Sequence, residues 1–180
     1  MKRSESPNSS VVSKSQFHPA IVGLFLVGYL SLSTATLGGE PVKILTKPMH
    51  LGDQVQNDMT HSKPDAKVFE AKFDWPGRIG FGEAYLIVDV SHMTPRDYPG
   101  FKDGFWQTEI LINGESVGIL NELLRGKNET AKLERIVLPF EFTAMKTGEN
   151  ILTIKPGAKN GDIDDLELQN VEISETKPER

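Results

Sequence analysis

Cysteine is absent from all 180 residues, and that absence removes several chemistries at once. It excludes disulfides, thiolate zinc sites, cysteine nucleophiles and lipid attachment to an N-terminal cysteine. Small exported domains often rely on disulfides. A stable fold here must depend on its hydrophobic core, with a bound metal as the other available support. A basic excess is missing as well. The Lys and Arg residues number 20 against 25 Asp and Glu, a formal net charge of −5. The cations are scattered and form no stripe of the kind that phosphate backbones require, so nucleic acid is not an expected partner. No P-loop, no G-x-G-x-x-G turn and no H-x-x-x-H pair occurs. Glycosidase chemistry needs two carboxylates across a cleft, and 25 acids give no basis for choosing a pair. No catalytic residue is assigned.

What is present fits one globular domain. Hydrophobic residues make up 38% and charged residues 25% of the chain, a composition that can bury a core. Between Lys14 and Glu40 the chain carries no Lys, Arg, Asp or Glu. Within that window Ala20-Ile21-Val22-Gly23-Leu24-Phe25-Leu26-Val27-Gly28-Tyr29-Leu30 is an apolar run preceded by Lys2, Arg3 and Lys14. A basic flank before an apolar run is the layout of a secretory signal, and Ser33-Thr34-Ala35 offers a cleavage point after Ala35. The alternative is an uncleaved membrane anchor covering residues 17–39, since a span needs about 20 residues. A buried helix fits less well, because Gly23 and Gly28 interrupt the run and it has no polar face. Residues 1–35 are thus expected to export or tether the protein. The working part would be secreted, periplasmic or membrane-anchored outside the cytoplasm, touching the membrane only if the segment stays uncleaved.

Residues 36–65 are polar and punctuated by Gly38, Gly39, Pro41, Pro48, Gly52 and Pro64. They read as a linker or loose arm, with one strand possible at 42–46. From 66 to 174 the pattern becomes that of short strands, at 68–73, 84–91, 107–112, 115–120, 135–140, 150–155 and 166–174. Asn113-Gly114 supplies the two positive-φ residues of a type I′ hairpin turn. The apolar phase shifts near Gln169-Asn170, which predicts a bulge. Helical turns are expected at 142–147, ended by Gly148, and at 120–125, closed by Gly126. Residues 175–180 form a charged tail. The fold class expected is all-β, a jelly-roll-type antiparallel β-sandwich with short helical turns.

The run Ile110-Leu111-Ile112-Asn113-Gly114-Glu115-Ser116-Val117-Gly118-Ile119-Leu120 resembles the hairpin of galactose-binding-domain-like sandwiches. Met145-Lys146-Thr147-Gly148-Glu149-Asn150-Ile151-Leu152 is similar to a turn-and-strand element of that fold, and Asp164 to Ile173 to its last strand. The resemblance covers residues 66–174. It implies a carbohydrate-binding or accessory module, and a structural calcium held by a first-strand Glu and an Asp leading into the last strand. The matching positions are Glu70 and Asp165, within an acidic stretch that also holds Asp162 and Asp164. Calcium accepts such hard oxygen ligands; the alternative is a solvated acidic turn.

Residues 97–106 form the most unusual stretch. Tyr98, Phe101, Phe105 and Trp106 lie in a Gly/Pro-rich connection, and sugar rings stack on aromatic faces. Tyr98 and Phe101 are expected at the surface and Phe105 and Trp106 in the core. Arg96 and Lys102 flank the stretch and can hydrogen-bond hydroxyls. Trp75 would join this surface if both loops share one end of the sandwich. The competing reading has these aromatics folded back as a cover on the core. His50 and His61, in the arm, and His92 carry no metal-ligand spacing. Asn128-Glu129-Thr130 is an N-glycosylation triplet, meaningful only in a eukaryotic secretory pathway. The expected partner is a carbohydrate. Alternatives are another surface protein meeting the same aromatics and, more remotely, activity as a small polysaccharide hydrolase or lyase.

Overall fold

A computed structural model describes residues 39–76, 80–125, 131–157 and 161–179. The apolar segment at 17–39, apart from Gly39, and the whole 128–130 triplet lie outside these. Among the described residues no helix is long and apolar enough to cross a membrane.

The strands follow the alternation of the sequence. In β3 (Phe69–Trp75) Phe69, Phe73 and Trp75 are buried while Glu70, Lys72 and Asp74 are exposed. That is the period-2 signature of a sheet with one wet face. The other strands are β1 (Val42–Leu45), β2 (Met49–Leu51), β4 (Glu83–Ser91), β5 (Thr108–Ile112), β6 (Glu115–Ile119), β7 (Glu134–Glu141), β8 (Gly148–Pro156) and β9 (Leu166–Ser174). All strand pairs are antiparallel. One sheet has the order β1-β9-β4-β7 with β2 also on β9, and the other the order β3-β8-β5-β6. The protein is an all-β sandwich.

Leu86 and Val88 of β4, Val171 and Ile173 of β9, and Ile110, Leu152 and Ile154 from the facing sheet are inaccessible to solvent. Each such side chain contributes about 1.5–3 kcal/mol by leaving water. In β9 the pairing jumps from Asp89↔Asn170 to Val90↔Leu168. Gln169 is therefore the extra residue of a bulge, and Leu166, Leu168, Val171 and Ile173 all reach the core despite their change of phase. Asn113 (φ 52) and Gly114 (φ 84) close the β5–β6 hairpin. Asn113 Nδ2 also donates to the Ala144 carbonyl at 2.9 Å and to Asn150 Oδ1 at 2.8 Å. The buried Asn150 in turn donates to the carbonyls of Lys146 and Gly148, both at 2.7 Å. Short 3₁₀ turns occupy Leu120–Leu123 and Phe142–Ala144, within the expected helical stretches, and also Phe101–Asp103.

The linker reading of residues 36–65 needs correction. β1 and β2 pair in succession along one edge of β9, at Val42↔Ile173 and Met49↔Leu168. Pro48, which has no N–H to donate, lies between them. Leu51 is buried in the core, and the described residues from Gly39 onward form one unit with the sandwich. The arm covers an edge that would otherwise present unpaired N–H and C=O groups. Its attachment is largely backbone pairing, which leaves little apolar pattern to read.

Candidate functional site

A cleft of about 340 Å³ opens at the end of the sandwich where β4 ends and β5 and β9 begin. The β4–β5 connection forms one wall. His92 and Trp106 near its two ends adopt left-handed backbone, with φ of 64 and 55. For residues of this size that conformation costs roughly 1–3 kcal/mol each and must be held by the surroundings. The holding groups are buried. Asp164 accepts hydrogen bonds from the Thr94 backbone N–H and hydroxyl, both at 2.7 Å, and from Asn121 Nδ2 at 3.1 Å. Asn121 Nδ2 also donates to the Thr94 carbonyl, and its Oδ1 accepts the Thr108 N–H, both at 2.8 Å. One buried Asn–Asp bracket thus clamps the connection near its start and end. Burial pushes the Asp164 carboxyl up to about 7, against the opposing pull of its bonds from Thr94 and Asn121 and with a further small push from Asp165.

Within the connection Phe101 turns inward, only 6% exposed. Gly100, at φ 94, passes so close beneath Trp106 that a Cβ there would lie 2.7 Å from the indole ring. Tyr98 is 52% exposed and meets Trp106 edge-on, with ring centroids 5.3 Å apart. This aromatic pair lines one side of the cleft.

The arm after β2 forms the other side, with Gln54, Gln56, Asp58 and Met59. Asp165 Oδ1 anchors it by accepting the backbone N–H groups of Asp53 at 3.0 Å and Gln54 at 2.9 Å. His50, fully buried, places Nε2 at 3.2 Å from the same oxygen and Nδ1 at 2.8 Å from the His61 carbonyl. Glu167 accepts the Thr60 N–H at 3.0 Å. Asp65 accepts from His61 Nδ1 at 2.7 Å and from the His50 N–H at 2.8 Å. The His61 bond foremost, then the His50 N–H, holds the Asp65 carboxyl below its usual range. His92 Nε2 comes within 3.3 Å of Asp58 Oδ2, so the two walls approach there. That ring nitrogen is buried and makes no hydrogen bond.

The expected site residues separate on this geometry. Tyr98 lines the cleft, whereas Arg96 and Lys102 are exposed beside the connection and outside the lining. Phe101 is a plug for the loop and does not reach the surface. Trp106, expected in the core, is only partly buried and lines the cleft. Trp75 is 3% exposed and packs on Phe142 at 6.2 Å. Its register partner is Gly148, at the start of β8, whereas Thr108 beside the cleft pairs with Pro156, at the end of β8. Trp75 and Tyr98 therefore occupy opposite ends of the sandwich.

Glu70 is exposed on β3 in one sheet, and Asp165 precedes β9 in the other, its Oδ1 engaged by the arm. Among the described residues no three His, Asp or Glu side chains converge in a way that could hold a metal. Gly114-Glu115-Ser116-Val117-Gly118 spells G-x-S-x-G, but Ser116 is exposed on a hairpin strand. A nucleophile elbow requires a strand-to-helix turn, and the groove beside Ser116 contains no histidine among its described lining residues.

No family model and no curated protein matches the chain. Solved structures do match. BuGH86, determined in complex with neoagarooctaose, is similar over 75% of this chain and 18% of its own, at 14% identity and a TM-score of 0.47. The chain thus spans less than a fifth of that protein's length. The family 35 carbohydrate-binding module from Clostridium thermocellum is similar over 77% of this chain and 90% of its own, at 12% identity and a TM-score of 0.37. The CBM36-1 domain of a multidomain xylanase from the Trinervitermes trinervoides hindgut metagenome is similar over 78% and 98%, at 10% identity and a TM-score of 0.40. The likeness is one of fold. Cleft residues that the sequence reading left out are Gln54, Gln56, Asp58 and Met59, for which the polar arm held no usable signal. For Trp106, its place in the same connection as Tyr98 was the available clue.

Proposed function

We propose that the chain is a non-catalytic carbohydrate-binding module that works outside the cytoplasm, delivered there by its N-terminal segment. The observation that carries the reading is the Tyr98–Trp106 pair beside a cleft of about 340 Å³ whose lining also holds the amides of Gln54 and Gln56 and the carboxyl groups of Asp58, Asp164 and Asp165. Sugar rings present apolar C–H faces and hydroxyl edges. An aromatic wall opposite hydrogen-bonding groups meets both requirements. The bracket of Asp164 and Asn121 and the two left-handed residues support a preorganised wall, which limits the ordering cost of binding.

Glycan-array retention tests this. Tyr98→Ala and Trp106→Ala are each expected to weaken retention about tenfold, equivalent to about 1.4 kcal/mol of lost contact. Arg96→Ala and Lys102→Ala should change it by less than about twofold, as for exposed rim charges. Failure to retain any glycan, together with a stable oligomer by light scattering, would replace this reading with an assembly surface. Turnover of a retained glycan would overturn its non-catalytic part.

A further inference from the structure

We infer that the cleft selects glycans lacking carboxylate and sulfate groups, a specificity that rests on the carbohydrate-binding reading above. Its described lining holds three carboxylates, those of Asp58, Asp164 and Asp165, and neither Lys nor Arg. The two carboxylates beside β9 cannot turn away from a bound ligand. Asp164 is held by Thr94 and Asn121, and Asp165 by the Asp53 and Gln54 N–H groups and by His50. Asp58 is the exposed member, with a side chain 67% exposed. Among the described lining residues the one imidazole is that of His92, and its ring already sits against Asp58. An incoming uronate or sulfate would find no cation among these residues to pair with. Against Asp58 and Asp165 it would also bring acceptors to acceptors, an arrangement that leaves polar groups unpaired. A neutral hydroxyl both donates and accepts. It can donate to Asp58 while Gln54, Gln56 or Tyr98 satisfies its oxygen. An ammonium on an amino sugar offers only donors and fits the same carboxylates.

Neither the sheet faces nor the second groove, near Glu83, Glu115 and Glu141, shows an aromatic pair of this kind among its described lining residues. The discriminating contacts are therefore assigned to this cleft.

Competition on the full chain tests the inference. Unmodified neutral oligosaccharides are titrated beside their uronate, sulfated and deacetylated amino counterparts in low-salt buffer. Neutral or amino forms are expected to bind about tenfold or more tightly than the anionic forms. Asp58→Asn, at an exposed position, should narrow that ratio by about threefold, and so should raising salt to about 0.5 M. An anionic form bound as tightly as its neutral counterpart would overturn the specificity and leave carbohydrate binding intact. A ratio indifferent to both Asp58→Asn and salt would also overturn it, because the carboxylates would then not set the preference. Binding of no form would overturn the carbohydrate reading itself.

Discussion

The two ends of the sandwich use similar residues for opposite ends. Where β3 finishes, Trp75 is buried against Phe142, and the Asn113–Asn150 pair ties two turns together through side-chain amides. Where β4 finishes, Trp106 meets a half-exposed Tyr98 over a cleft, and an Asn–Asp pair holds a strained connection open to it. An indole and a buried asparagine occur at both ends. The difference is where the surrounding chain leaves space. At the first end the Asn113-Gly114 turn and the turn at 142–147 are short, and side-chain amides tie them together. At the second, the long β4–β5 connection and the arm approach from two sides without filling the volume between them. Aromatic residues thus pack the core at one end and line a cleft at the other, and residue type alone does not separate the two placements.

The comparison is most easily broken through the tryptophan and tyrosine. Trp75→Ala is expected to cost about 3–5 kcal/mol in urea denaturation, the usual range for deleting a buried aromatic. Tyr98→Ala should cost less than about 1 kcal/mol, as most exposed substitutions do. Equal costs would mean that the two ends do not differ as described.

Next in size is the arm. A Cβ on Gly52 would lie 2.0 Å from Asp165 Oδ1, an atom already pinned by two backbone N–H groups. Gly52→Ala is therefore expected to destabilise the fold by about 2–3 kcal/mol. It should also raise amide exchange at Asp53 and Gln54 while leaving the Asn113–Asn150 end protected. Uniform loss of protection would show that arm and cleft are not a separable unit.

The last effect concerns pH. The folded protein holds the Asp164 proton up to about 7, against an ordinary value of 3.8. The native state then binds more protons across that window. The group's stabilising contribution is complete below the lower value and is lost as pH rises through the upper one. Asp164→Asn remains uncharged at every pH and should remove this slope. Wild-type stability relative to the variant is expected to fall by on the order of a few kcal/mol between about pH 4 and pH 8. A difference that stays flat would show that burial leaves this carboxyl unbiased.

Much of the sandwich was legible in short-range pattern. The alternation in 68–73, the Asn113-Gly114 turn and the phase change at Gln169 each correspond to an observed element. The parity that buries Phe69 and Phe73 extends to Trp75, so its inward position was available from the same alternation carried two residues further. The cleft was legible only in part. Tyr98 could be singled out because it lies in a loop with spare aromatics. Phe101 and Trp106 exchanged their expected roles, because Gly100 before Phe101 and Gly104 after it turn the chain in left-handed conformations that alternation does not describe.

By itself the sequence determined the all-β class, the order of the main strands and the hairpin turn, since these follow from residue spacing and backbone preferences over a few positions. Tertiary structure alone decided that the polar arm is part of the sheet, that Trp75 and Tyr98 lie at opposite ends, and that Asp165 holds the arm. Those outcomes depend on strand register and on hydrogen bonds between positions more than 100 residues apart, such as Asp165 with Asp53 and Gln54. Backbone N–H groups are the same in every residue but proline, so such pairings leave no side-chain signal along the chain.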